Sequence, residues 1–342
     1  MIKKLLGLLA LFTVTYSAHA EVHVQAVEVL VNEVEQVIVG KYSYHDLTLT
    51  QGEELVVDFQ VVGGIDNSLT VWLLDLANFQ RYKAGQQYNY FEGGSGKIMS
   101  SSSYSFKVPE ANIYYLVLDN TRKFARRTVQ TYAYKITEGE TEESKQTKEF
   151  YSGLYNEFLK KLFIFDDFDI YIEMCGTANA FSSPHIVICN ELNTLLFRQN
   201  VPEAILFVFL HEAAHSLLNV WDYPLYDNED AADEFATVML LLVEDKAAAL
   251  DAAKWWANSG SNDEALSKLW LDDRHAISPQ RARNIINWIN KEDEITRRWL
   301  HLLIPKMTDE AVQAVADENL LGADTRFAQQ ELVKRQGVRV NN

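Results

Sequence analysis

The sequence predicts two domains, an all-β antiparallel sandwich followed by an α+β domain, and three observations carry that expectation. The chain has 342 residues, more than one domain usually holds. Up to about residue 138 it consists of short β-branched and aromatic runs broken by turn residues. Beyond a charged segment, the apolar period lengthens from that of strands to that of helices. Hydrophobic residues make up 48 % of the chain, enough for packed cores, which excludes wholesale disorder.

Residues 1–20 read as a signal peptide. Lys3 and Lys4 precede the apolar run Leu5–Val14, and Ala18-His19-Ala20 supplies the small residues for cleavage after Ala20. The run is much shorter than the ~20 residues that span a bilayer, and no later stretch reaches that length, so no membrane span is expected. The expectation is a periplasmic or secreted protein. The formal charge is −17, or −19 once Lys3 and Lys4 are removed. Such a surface repels nucleic acid and anionic headgroups, so neither is an expected partner.

Residues 21–138 hold the strands. "VLVNEVEQVIVG", "HDLTLTQGEELVVDFQVVGG", "SLTVWLLDL", "SYSFKVP", "IYYLVLDN" and "TVQTYAYKIT" alternate in part, with "QGE", "GGIDN", "EGGSG" and "PEAN" as turns. The serine run Ser100–Ser103 is expected to be a loop. His23 and His45 stand alone and have no ligand spacing. Through "TVWLLDLANFQRYKAG" and "VPEANIYYLVLDN" this half resembles GOLD-type accessory sandwiches of bacterial secreted peptidases, a resemblance that implies a binding role. The polar segment 139–149, "GETEESKQTKE", is expected to be the linker.

The second domain, 150–342, opens with an amphipathic helix over Phe150–Phe163, then the strand "FDIYIEMCG" and a hairpin "NAFSSPHIVICNEL". Cys175 and Cys189 are the only cysteines, and in an exported protein they are expected to form a disulfide. Their midpoint is Ser182, so a turn over Phe181–Pro184 would set them opposite one another. Helical stretches follow at Pro202–Val220, Asp230–Ser259 and Pro279–Ile289. Strands before helices, without βαβ alternation, indicate an α+β domain.

One stretch of that domain carries chemistry. "FLHEAAHSLL" sets His211, Glu212 and His215 into an apolar run as HExxH. On a helix, residues four apart point the same way, so both imidazoles can converge on one ion. Glu212 is turned about 100° away, where it can act as a base without binding the metal. Zinc in hydrolytic sites takes three protein ligands, so a third is needed. "NEDAADEFA" offers Glu229, with Asp233 one turn later to accept an N–H from a ligand histidine; Asp230 and Glu234 form a competing pair on the next row.

HExxH followed by Glu229-Asp-Ala-Ala232-Asp233 resembles the gluzincin arrangement of zinc peptidases. More closely, "CGTANAF…IVICNEL…LHEAAHSLL…EDAADEFA…DDRHAISPQRARNIINW" is similar to a bacterial family of metallopeptidases without a known substrate. The resemblance implies a zincin-like fold, Zn²⁺ held by His211, His215 and Glu229, Glu212 as catalytic base, and a peptide or protein substrate. Asn179, Ala180 and Phe181 resemble the edge strand with which thermolysin-like enzymes hold a substrate backbone. In similar enzymes a loop histidine stabilises the oxyanion, a role His275 could take with Asp272 or Asp273 beside it; Tyr223 and Tyr226 are alternative donors. His185 and His301 read as packing residues. The competing expectation is a zinc-containing binding protein without catalysis, whose sandwich recognises a partner.

Overall fold

The computed structural model describes residues 21–63, 68–91, 98–99, 101–137, 139–175, 178–182, 185–259, 279–317 and 323–339. The expected signal peptide lies outside the described residues, as do His275, Asp272 and Asp273. The chain forms two compact units. One is Gln25–Gln146; the other joins the chain up to Val24 with Thr147–Asn342.

The first strand, β1 (Val22–Val24), pairs in the second unit, and the chain then makes the β unit. That unit contains β2 (Val27–Val37), β3 (Tyr42–Leu49), β4 (Glu54–Gly63) and β5 (Leu69–Asp75). The helix α1 (Leu76–Lys83) follows, then β6 (Ile98–Met99), β7 (Ser101–Lys107), β8 (Asn112–Asp119) and β9 (Arg127–Ile136). Two antiparallel sheets result, in the orders β2-β9-β4-β7 and β3-β8-β5-β6. Alternate residues such as Leu55, Val57 and Phe59 of β4 and Val71 and Leu73 of β5 point into one shared core. Gly52 makes the β3–β4 turn at φ +90°, a conformation that other residues rarely adopt. Ser101–Ser103 belong to β7 and pair with Gln60, Phe59 and Asp58, where the sequence suggested a loop. The partner strand β4 supplies the ladder that Ser101–Ser103 do not advertise; Ser100 lies outside the described residues.

The second unit is mainly helical around one small sheet. Helix α2 (Glu142–Ser152), whose residues up to Gln146 fall in the β unit, passes through a wider π-helical stretch, Gly153–Leu159, to Leu162. Thr141 and Ser144 cap its start reciprocally, at 2.9 and 3.1 Å, and Glu142 and Glu143 complement its N-terminal dipole. The expected linker is thus largely helix: its glutamates and lysines are good helix formers on an exposed face. The strands β10 (Ile170–Glu173), β11 (Ala180–Ser182) and β12 (Ile186–Cys189) follow. They join β1 in the order β1-β10-β12-β11, with β1, β10 and β12 parallel and β11 antiparallel at the edge. Val22–Val24 were expected in the sandwich. Three residues give no period, and their partner Ile170–Ile172 is about 150 residues away.

Cys175 and Cys189 are bonded, with Cα atoms 5.4 Å apart. The register is not that of the expected hairpin. Ala180 pairs with Ile188 and Ser182 with Ile186, so Cys189 lies opposite Glu173 of β10 instead, and the bridge ties the chain leaving β10 to the end of β12. The remaining elements are α3 (Asn190–Arg198), α4 (Ala204–Val220), α5 (Glu229–Leu242), α6 (Lys246–Ser259), α7 (Pro279–Asn290), α8 (Glu292–Leu303), α9 (Asp309–Asp317) and α10 (Ala323–Arg339). Helix α4 is apolar on nearly all sides, which makes it the buried axis of the unit.

At one corner of the β unit, His45 Nε2 lies 2.7 Å from Glu35 Oε1, both largely shielded from solvent. The hydrogen bond to Glu35 outweighs burial and raises the His45 pKa. Burial pushes Glu35 up, but the bonds from His45 and Ser43 leave it lowered. The histidine contribution is complete below its unfolded value near 6.5 and fades as pH rises through the raised one. The glutamate contribution is complete above about 4.5 and fades as pH falls. The pair should therefore stabilise most near pH 5–6, by on the order of 1 kcal/mol. The Tm difference between the wild-type chain and a His45→Gln variant should shrink between pH 5.5 and pH 8; a difference that grows would refute the pairing.

Candidate metal centre

His211, buried, and His215, half-buried, sit one turn apart on α4, and their rings meet edge to face with centroids 4.8 Å apart. The chain leaves α4 through Asp222 at φ 54°, with Tyr223 N–H donating to the carbonyl of Leu218. That reversal brings residues 223–228 back along the helix. Asn228 then caps α5, its side chain accepting from Ala231 N–H at 2.9 Å, and so fixes Glu229 as the first helical residue. The cap aims the glutamate at the two histidines.

The resulting distances are short on all sides. His211 Nε2 lies 3.2 Å from His215 Nε2 and 3.2 Å from Glu229 Oε2, and His215 Nε2 lies 3.5 Å from Glu229 Oε1. The other ring nitrogens are taken: His211 Nδ1 is 2.8 Å from Asp233 Oδ1, and His215 Nδ1 is 2.7 Å from the carbonyl of Tyr226. Each acceptor requires an N–H at Nδ1, so each neutral ring presents a lone pair at Nε2. Two imidazole lone pairs and a carboxylate thus face one point, which is repulsive unless a positive charge lies there. Bonds of about 2.0–2.1 Å at tetrahedral angles set ligand atoms about 3.4 Å apart, the spacing found. The donor set fits zinc.

The surrounding charges agree. Burial disfavours a charged His211, yet Asp233 and Glu229 overcome it and raise its pKa to about 9, the mark of a site that draws positive charge. Burial likewise opposes ionised Asp233, but the Arg281 charge and the His211 bond hold its carboxyl below the usual range. Arg281, from the first turn of α7, grips Asp233 with both arms: Nε to Oδ2 at 2.7 Å and Nη2 to Oδ1 at 2.6 Å. Its Nη1 lies 3.5 Å from Glu229, and its guanidinium stacks 4.4 Å from the Trp256 ring. Asp233 is fully buried and Arg281 only 6 % exposed, so the pair is desolvated and mutually dependent.

Glu212 is 2 % exposed, and among the described residues its Oε2 has no hydrogen-bond partner. An orphaned buried carboxylate oxygen is costly, and in this chain it faces a cavity shared with His211 and Arg281.

The structure brings His211, Glu212, His215, Glu229 and Asp233 together. The competing acids face elsewhere: Asp230 accepts from Asn284 at 3.0 Å, and Glu234 pairs with Arg298. Ala180 lines the cavity from the edge strand, while Asn179 precedes that strand and holds Cys189 N–H on its carbonyl at 3.0 Å. Tyr226 reaches the site through its backbone carbonyl, and its side chain is 45 % exposed; Tyr223 packs beside Trp299. His185 bonds with Asp169, and His301 stacks on Phe327. Arg281 was missed by the sequence reading. The available signal was its spacing: it stands four residues before Ile285, on the apolar face of a helix, where a charge needs a buried partner.

A family model, DUF4344, described as "Putative metallopeptidase", matches residues 130–303. No curated protein matches the chain in sequence. Among solved structures, the periplasmic g-type lysozyme inhibitor PliG of Aeromonas hydrophila is similar at 11 % identity, over 34 % of this chain and 99 % of that one, with a TM-score of 0.23. The cyanophage Pam1 capsid asymmetric unit is similar at 12 % identity, over 37 % of this chain and 94 % of that one, with a TM-score of 0.20. Scores this low bear on neither fold nor activity.

Removing Arg281 would strand the carboxylate of Asp233 in the core. An Arg281→Met variant should lose about 3–5 kcal/mol of stability in urea unfolding, and Arg281→Lys should recover only part, since an ammonium cannot make the two-armed contact. An unchanged unfolding midpoint in Arg281→Met would contradict this account of the buried pair.

Proposed function

Because the chain belongs to the DUF4344 metallopeptidase family, we propose that it is an exported, zinc-dependent hydrolase of peptide bonds with a zincin-like catalytic unit. The observation that carries this reading is the convergence of His211 Nε2, His215 Nε2 and Glu229 on one point beside the orphaned carboxylate of Glu212. When bound, zinc supplies Lewis acidity, polarising a carbonyl and easing the deprotonation of an attacking water.

The residues divide the remaining work. His211, His215 and Glu229 would hold the ion, the three protein ligands that hydrolytic zinc sites use. Asp233 and the carbonyl of Tyr226 hold both rings in the Nδ1–H tautomer, so that Nε2 is the donor atom. Glu212 takes a proton from the water as it attacks the substrate carbonyl and passes it to the leaving amine. Ala180 opens the edge strand β11 and Asn179 precedes it, where an extended peptide can add as a further strand. His275 is the proposed donor to the oxyanion. The sandwich is read as an accessory, partner-binding unit. The disulfide agrees with an oxidising compartment and so with export through residues 1–20. The buried Glu212 Oε2, without a hydrogen-bond partner among the described residues, supports catalysis over the alternative of a silent zinc protein.

Two variants test the assignment. Glu212→Gln should keep about one zinc per chain by elemental analysis and lose cleavage of an unfolded protein by about 100-fold or more. Undiminished cleavage would remove Glu212 from the mechanism. Asp233→Asn should weaken zinc binding by about 10–100-fold in competition with a chelating dye, whereas an unaltered affinity would show that the His211–Asp233 contact does not tune the site.

A further inference from the structure

Charge is spread unevenly over the β unit. The chain as a whole is strongly acidic, at −17, yet residues 37–45 and 120–137 contain no Asp or Glu. These stretches hold two adjoining turns of the sandwich. One is the β2–β3 turn, with Ile38, Val39, Gly40 and Lys41; the other is the β8–β9 loop, residues 120–126, "NTRKFAR". Gly40 N–H donates to the Asn120 carbonyl at 3.2 Å and Asn120 N–H to that of Lys41 at 3.0 Å, so the turns form one surface.

Three apolar side chains face solvent there: Phe124 is fully exposed, Ile38 63 % and Val39 44 %. Cations stand among them. Lys41, Arg122 and Arg126 are exposed, and half-buried Lys123 reaches the Ser68 hydroxyl. The carboxylate next in sequence, Asp119, is engaged by Trp72 Nε1 at 3.1 Å and Thr121 N–H at 2.8 Å.

The loop that carries Phe124 is held from beneath. Asn120, fully buried, donates through its side-chain amide to the carbonyls of Val37 and Ala125, each at 2.9 Å. Arg127, 2 % exposed, donates to the carbonyls of Ser68 at 3.0 Å, Ala125 at 3.1 Å and Arg126 at 3.3 Å. Two buried polar side chains thus fix the backbone on both sides of Phe124, and the ring is held out in water in a set conformation.

An apolar tip ringed by cations calls for a partner that is apolar within and anionic at its surface. Stable protein interfaces bury about 800 Å² on each side, far more than three projecting side chains supply. A bilayer moulds round such a tip, taking apolar side chains below the headgroups and meeting Lys and Arg with phosphates. The mean charge speaks against anionic headgroups, but exposed charges act over only about 8–10 Å in physiological salt, so the tip answers to its own cations.

We propose that this end of the sandwich is a membrane-docking tip. Phe124, with Ile38 and Val39, enters the interface of a bilayer while Lys41, Arg122 and Arg126 pair with anionic phospholipid headgroups. The contact is peripheral and needs no spanning segment. It is independent of whether the second unit cleaves peptides.

The test is cosedimentation with vesicles of the processed chain, from Glu21 on, so that the apolar run Leu5–Val14 takes no part. Vesicles of phosphatidylglycerol and phosphatidylethanolamine should bind it about tenfold or more better than vesicles of phosphatidylcholine, and added salt should release it. Phe124→Ser should weaken binding by about tenfold, and Arg122→Gln or Arg126→Gln by about fivefold each, whereas Phe124→Trp should keep it. Because the ring is fully exposed, Phe124→Ser should retain the wild-type unfolding midpoint, which separates a lost contact from a lost fold. Failure to bind the anionic vesicles, equal binding to both kinds, or binding that Phe124→Ser leaves unchanged overturns the proposal. A chain that ignores the vesicles and self-associates through Phe124 would assign the tip to a second copy and overturn it as well.

Discussion

Two imidazoles and a carboxylate share one buried point in this chain only with a positive charge among them, whether a proton on His211 or a metal ion. In this chain both histidine tautomers are fixed from behind, by Asp233 and by the Tyr226 carbonyl, so that His211 Nε2 and His215 Nε2 must face each other and Glu229. Much of the second unit serves that requirement. The apolar helix α4 buries the histidines, the reversal at Asp222 returns the chain, and the Asn228 cap fixes where Glu229 points. Each device is local, and together they bring three candidate ligand side chains from two helices to one point.

A second layer holds the first. Asp233 is fully buried, and a carboxylate there is tenable only because Arg281 neutralises it with two hydrogen bonds. Arg281 in turn lies flat on Trp256, which walls the cavity beside Glu212. Electrostatics at the metal centre and the shape of the neighbouring pocket are thus linked through one side chain.

How much of this could be read from sequence depends on the length scale of the signal. HExxH and the Glu229/Asp233 spacing are set by helix periodicity, a local rule, and they stand out in an apolar background. The strand-rich first half and helix-rich second half were legible for the same reason. What was not legible depends on distant partners. Val22–Val24 looked like the start of the sandwich until Ile170–Ile172 was seen to pair with it. The Cys175–Cys189 bridge was anticipated, but from a hairpin register the chain does not adopt; the parallel pairing of β10 with β12 sets it instead. Residues 142–149 resembled a linker because an exposed helix and a linker share a composition. Arg281 carried a helical-face signal that is visible only once its buried carboxylate partner is known.

The central claim is that His211, His215 and Glu229 grip one divalent ion. Anomalous diffraction at the zinc edge, from crystals of the zinc-loaded chain, tests it most directly. The account predicts a single strong peak about 2.0–2.2 Å from both Nε2 atoms and from a Glu229 oxygen. A peak confined to other residues, or none between these three side chains, would contradict it.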